Sequence, residues 1–99
     1  MALRYSVVLP VFNEETNIVL FCRRAVRELP AGFELLVCYD FEGDRTLPAL
    51  EAMPPSEKPE CLRLIRNRLG RGVRYAIEAG MRESKASNRP ILVDFGAEW

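Results

Sequence analysis

The order of apolar patterns along the chain predicts an α/β fold, an open and mainly parallel sheet with helices on its faces. Strand-length runs at "YSVVLPVF", "FELLVCY", "CLRLIR" and "PILVDF" alternate with helical patterns, the order that right-handed crossovers between parallel strands produce. "FELLVCY" is also near-continuously apolar, as a strand covered on both faces is. Ligands of such sheets sit beyond the carboxyl ends of the strands. Function is therefore expected at Pro10 to Asn13, Tyr39 to Asp44, Arg66 to Gly70 and Asp94 to Glu98.

The first run is rich in β-branched residues, and Pro10, which has no amide donor, places its end. Asn13 is positioned to cap the next helix, with Glu14 and Glu15 in a first turn that favours negative charge. Ile18, Cys22, Ala25, Val26 and Leu29, with Phe21 beside them, form one stripe at helical spacing that stops at "PAG". The second strand leads to a short helix over residues 47–53 with Pro48 in its first turn. "PPSEKPE" then reads as an exposed connection without regular structure, because its prolines remove donors and fix φ. "CLRLIR" is the least apolar run and belongs nearer an edge, which leaves the first two strands central. In "GRGVRYAIEAGMRESKA" the spacing puts Val73, Ala76, Ile77, Gly80, Met81 and Ser84 on one helix face.

Composition narrows the function classes. Ninety-nine residues can enclose one small core, so residues 1–99 are one domain or part of one. The 14 basic and 14 acidic residues cancel, and the overall balance gives no sign of nucleic acid or an anionic membrane as partner. Cys22, Cys38 and Cys61 are isolated in apolar stretches, as buried reduced thiols are. No uncharged apolar run approaches the ~18 residues of a membrane span, and "MALRYSVVLPV" meets "NEE" too soon for a signal peptide. A cytoplasmic location is expected. The chain contains no histidine, which excludes histidine triads and histidine zinc sites and leaves hard, oxygen-liganded cations such as Mg2+ or Mn2+.

The stretch "LLVCYDFEGDRTL" drives an apolar strand into Asp40, Glu42 and Asp44. Asp40 must stay solvated or find donors, and a ligand N–H is one such donor. Asp44 fits either a ligand contact or a turn before "RTLPAL", and Glu42 is expected to be exposed. Phe12 either caps the core or lies against a flat base. Arg63, Arg66, Arg68, Arg71 and Arg74 form a run without an acidic residue, and Gly70 and Gly72 would let backbone amides approach an anion. "GRG" is neither a dinucleotide fingerprint nor a Walker loop.

Taken in order and spacing, "SVVLPVFNEETNI", "ELLVCYDFEGDRT" and "NRLGRGVRYAIEAG", followed by "ILVDF", resemble the nucleotide-binding half of inverting GT-A glycosyltransferases of family 2. The resemblance is strongest to polyprenyl-phosphate sugar transferases of the dolichyl-phosphate mannose synthase kind. It implies a Rossmann-like GT-A fold of which residues 1–99 are the N-terminal, nucleotide-binding part. It also implies that Pro10, Phe12 and Glu14 border base and ribose, with Phe12 stacking, and that Asp40 hydrogen-bonds the base. Arg71 and Gly72 would lie along the crevice, while Asp44 and Thr46 would shape the turn or touch the ligand. The family's Mg2+ or Mn2+ would fall to Asp94, although the position two residues on is Gly96 and the next carboxylate is Glu98. The implied activity is transfer of a sugar from a UDP- or GDP-linked donor to an acceptor such as polyprenyl phosphate. The alternative is a truncated or degenerate, non-catalytic nucleotide-binding module. Trp99 precedes the family's acceptor site and catalytic base, so this chain alone is not expected to turn over. Membrane association at the cytosolic face would need segments absent here, and apolar surface left uncovered would favour a homo-oligomer.

Overall fold

The computed structural model of the chain describes residues 3–85 and 91–92. The elements are β1 (Tyr5–Pro10), α1 (Glu15–Glu28), β2 (Phe33–Tyr39), α2 (Thr46–Ala52), a 3-10 turn (Pro55–Glu57), β3 (Leu62–Arg66), α3 (Val73–Glu83) and β4 (Ile91–Leu92). All paired strands are parallel, in the order β3-β2-β1-β4. The α/β reading holds, with β1 and β2 central and β3 at an edge. The chain winds outward from β1 to β3 and then returns to place β4 beside β1, so the order reverses next to the end of β1.

Period-two alternation splits the core between the two faces of the sheet. Val7, Leu9, Val11, Leu35 and Val37 pack with Ile18 and Cys22 of α1, Leu50 of α2 and Met53. Val8, Leu36, Cys38 and Ile65 pack on the other face against Ala76 and Ala79 of α3. Both central strands are thus covered twice, which is why they carry uninterrupted apolar runs.

The buried helix stripes are narrower than the periodicity suggested. Only Ile18, Cys22 and Ala25 of α1 are buried, while Val26 and Leu29 lie in the exposed class. On α3 the buried face is Ala76, Ala79 and Gly80, and Met81 is exposed. The reason is close approach: a Cβ at Gly80 would stand 2.6 Å from both Val8 Cγ1 and Cys38 Sγ. Small residues select that face, and the larger Val73, Ile77 and Met81 are displaced from it. Two further differences are local. "PPSEKPE" is not wholly irregular, since it contains the turn Pro55–Glu57 with proline at its start. Cys61 is only half-buried, unlike Cys22 and Cys38.

Glu34 lies inside the apolar-looking β2 run and is 0 % exposed. It survives there because three elements supply donors. Ser6 Oγ on β1 donates to Oε2 (2.6 Å), Arg63 Nη1 on β3 donates to Oε1 (3.0 Å), and the Lys85 amide after α3 donates to Oε2 (2.6 Å). Ser84 Oγ shares a hydrogen bond with Ser6 Oγ, and Arg63 also reaches the Glu83 carbonyl. Burial alone would raise the Glu34 pKa, but the bonds from Ser6, Lys85 and Arg63 and the Arg63 charge outweigh it and hold the carboxyl below its usual 4.5. A lowered folded-state pKa stabilises the fold above the unfolded value, and that stability is lost as pH falls through the folded one. Urea unfolding between about pH 5 and pH 3 should therefore show a steeper loss of stability for the wild type than for Glu34→Gln. Parallel pH profiles would contradict the role given to Glu34.

Candidate functional site

The carboxyl ends of β1 and β2 run side by side, with Pro10 opposite Cys38 and the Val11 amide donating to the Cys38 carbonyl (2.9 Å). Pro10 is buried at the end of β1. Phe12 then leaves the sheet and is 42 % exposed, which does not fit a core-capping role. Its ring centroid lies 5.7 Å from that of Phe41, tilted by 53°. Phe41 directly follows Asp40, so Phe12, Phe41 and Asp40 all lie at the carboxyl edge of the sheet.

Two loops are tied together at the same edge. Asn13 adopts φ 49°, a left-handed conformation that asparagine tolerates. Its amide donates to Asp44 Oδ1 (3.1 Å), and its Oδ1 accepts the Arg45 amide (2.9 Å). The Thr46 amide donates to the same Asp44 oxygen (2.8 Å), and Thr46 Oγ1 accepts the Glu14 amide (2.8 Å). Arg45 also pairs with Glu15. Asn13 therefore does not cap α1 as the sequence suggested. Glu14 holds the N-cap position without a side-chain capping bond, and its amide is satisfied across the loop by Thr46. Glu14 is nearly buried and its Oε1 accepts from Asn17 (2.9 Å). Asp44 and Thr46 are buried with oxygens committed to backbone amides, a turn-forming arrangement; Asp44 Oδ2 is enclosed without a hydrogen-bond partner.

Asp40 is held differently, at a partly exposed position. Its Oδ1 accepts from Asn67 Nδ2 (2.6 Å) and its Oδ2 from the Gly72 amide (3.2 Å). Gly72 has φ +103°, a region that side chains other than glycine's rarely allow, and it stands at the N-cap of α3. A carboxylate there also complements the positive end of the helix. Asn67 is the residue that sequence reasoning passed over. It is 5 % exposed, its amide donates to the Tyr39 carbonyl, its Nδ2 also reaches the Gly70 carbonyl, and its Oδ1 accepts the Leu69 amide. An asparagine directly after a strand and three residues before a glycine was the available signal.

The arginine run does not form one patch. Arg63 faces the opposite end of the sheet and serves Glu34. Arg66 lies 5.9 Å over the Tyr39 ring and 3.8 Å from the exposed Glu42, with Nε and Nη1 buried and without hydrogen-bond partners. Arg74 lies over the Tyr75 ring. Arg68 and Arg71 are exposed and make no ion pair among the described residues.

Asp94, Gly96 and Glu98 lie outside the described residues. Among the described residues no group of three or more histidine, cysteine, aspartate or glutamate side chains could hold a metal ion. Burial pushes the thiols of Cys22 and Cys38 up to about 11 and about 12. No helix among the described residues is long and apolar enough to cross a membrane.

A parallel sheet wound in both directions from β1, with a hydrogen-bonded polar cluster at its carboxyl edge, defines an α/β fold consistent with the N-terminal part of a Rossmann-like GT-A protein. The family model described as Glycosyl transferase family 2 matches residues 6–89, and the chain belongs to that family. No curated protein and no solved structure matches the chain significantly.

The loop clamp makes a direct prediction. Thr46→Val keeps the shape but leaves the buried Glu14 amide without its acceptor, so urea unfolding should show a loss of about 1–3 kcal/mol. A loss below about 0.5 kcal/mol, the size of an ordinary surface substitution, would mean that the clamp does not hold the loops.

Proposed function

We propose that this chain forms the nucleoside-recognising part of a glycosyltransferase that takes a sugar from a UDP- or GDP-linked donor and delivers it to an acceptor such as polyprenyl phosphate. The observation that carries this reading is Asp40: a partly exposed carboxylate, held by Asn67 and Gly72 and followed in the chain by Phe41, against which the half-exposed ring of Phe12 packs. An ionised carboxylate offers about four acceptor positions, and two of them are used internally. The remaining ones accept a base N–H while Phe12 stacks on the base. Pro10 and Glu14 support the loop that carries Phe12. The start of α3 at Gly72 stands beside Asp40, and a diphosphate there would be attracted by backbone amides and by the cation of the neighbouring Arg71.

In the transfer itself, an acceptor oxygen attacks the anomeric carbon as the nucleoside diphosphate departs. A phosphate acceptor is already ionised and does not require a strong base. The described residues contribute binding and orientation. Asp94 would help to hold the family's Mg2+ or Mn2+, which would stabilise the charge of the departing diphosphate.

Calorimetric titration with UDP and GDP tests the reading. Phe12→Ala should weaken binding of the preferred nucleotide by about 1–3 kcal/mol, the range for base–aromatic stacking. Because Phe12 is 42 % exposed, stability to thermal unfolding should fall far less than the roughly 3–5 kcal/mol lost on truncating a fully buried aromatic. Asp40→Ala should cost a comparable amount of affinity, about 1–3 kcal/mol. Wild-type affinity in both variants, or no binding of either nucleotide by the folded chain, would refute the assignment.

A further inference from the structure

The outer edge of β3 is unpaired among the described residues. The Leu35 amide bonds the Cys61 carbonyl and the Asn67 amide bonds the Tyr39 carbonyl, so odd-numbered residues of this segment turn their backbone groups toward β2. By the alternation of a parallel ladder, the N–H and C=O groups of Leu62, Leu64 and Arg66 point outward from the sheet. Leu64 is 48 % exposed, and beside it runs a mainly apolar groove whose lining includes Leu47, Leu50 and Leu62 together with the charged Glu51, Lys58 and Glu60. The strand is flanked by Glu60 and Arg68, both exposed and neither in an ion pair among the described residues.

We propose that β3 is a self-association edge, on which a second copy of this chain docks its own β3 antiparallel about a two-fold axis through Leu64. A two-fold contact must be self-complementary, and this register meets that demand. Leu64 faces Leu64 of the second copy, and Leu62 faces Arg66, so all the outward backbone groups fall in hydrogen-bonded pairs about 5.5 Å apart. Continuing outward, Arg63 faces Ile65, and Glu60 faces Arg68 on both sides of the axis. Neighbouring registers are worse. An axis through Arg63 sets two guanidinium groups against each other, and one through Ile65 opposes Arg68 to Leu62 and leaves Glu60 facing Gly70. Like charges directly opposite destabilise a strand pair, whereas opposite charges support it. The product is a closed dimer with one continuous sheet, in which two apolar grooves meet beside the axis. The carboxyl-edge mouth at Phe12 and Asp40 is not covered by β3–β3 pairing itself, because it belongs to β1 and β2.

Sedimentation equilibrium of the full chain tests this, with circular dichroism to confirm folding. The wild type should show a monomer–dimer equilibrium. Glu60→Arg alone and Arg68→Glu alone should each raise the dissociation constant about tenfold or more, because each places like charges opposite at two points. Mixing the two variants should restore a dimer of one copy of each, and the double variant Glu60→Arg/Arg68→Glu should again pair with itself. Leu64→Asp should be monomeric. The proposal is overturned if the wild type stays monomeric up to about 1 mM, or if it assembles beyond a dimer. It is overturned equally if single charge reversals dimerise like the wild type or if their mixture stays monomeric.

Discussion

Asp40 leaves β2 with its carboxylate gripped from two sides, by the Asn67 amide group and the Gly72 backbone N–H, and these bonds tie the end of β2 to the start of α3. Each charge-assisted bond contributes on the order of 1.5–3 kcal/mol. Ordering the backbone of the segment from Asn67 to Gly72 costs roughly 1–2 kcal/mol per residue, so the two bonds alone would not hold it. Asn67 adds bonds to Tyr39, Leu69 and Gly70. The same arrangement starts α3 at Gly72, and the small face of Ala76, Ala79 and Gly80 then presses that helix onto Val8 and Cys38. The placement of the carboxylate and the packing of α3 are thus one constraint seen at two points.

The two ends of the sheet use charge for different purposes. At the amino end Glu34 is fully enclosed and joins β1, β2, β3 and the segment after α3 through Ser6, Arg63 and Lys85. A charge so deeply buried is tolerable only when its acceptor sites are filled by donors. At the carboxyl end Asp40 is only partly enclosed and keeps acceptor capacity to spare. Asp44, four residues on, is committed to the Asn13 and Thr46 amides and holds the loops that present Phe12. One carboxylate builds the frame and the other faces the opening.

Much of this was legible in the sequence, and what was not has identifiable causes. Alternating strand and helix patterns sufficed for the parallel sheet, its central strands and its β3 edge, because burial on both faces leaves continuous apolar runs. Glu34 was hidden, since a paired buried carboxylate has the same letter as a solvated one. The α3 face was drawn too wide because periodicity registers apolar character but not distance: Gly80 is selected by a 2.6 Å approach. Asn13 resembled a helix cap, yet its left-handed φ turns it into a bridge between loops. The run of arginines suggested one basic patch, whereas alternation along β3 sends Arg63 and Arg66 to opposite faces of the sheet. Asp40 was singled out by its position after a buried strand, but its partner Asn67 needed the three-dimensional turn. Asp94, with Gly96 and Glu98, lies outside the described residues.

The central claim, that a nucleoside is received between the ends of β1 and β2, is tested most directly by backbone amide NMR of the labelled chain during titration with UDP and GDP. The account predicts saturable shift changes concentrated at Val11–Asn13, Asp40–Phe41 and the start of α3 at Gly72, with the amides around Glu34 and Arg63 unmoved. Saturable changes confined to the Glu34 end of the sheet or to the groove beside Leu64, with Phe12, Asp40 and Gly72 silent, would contradict it.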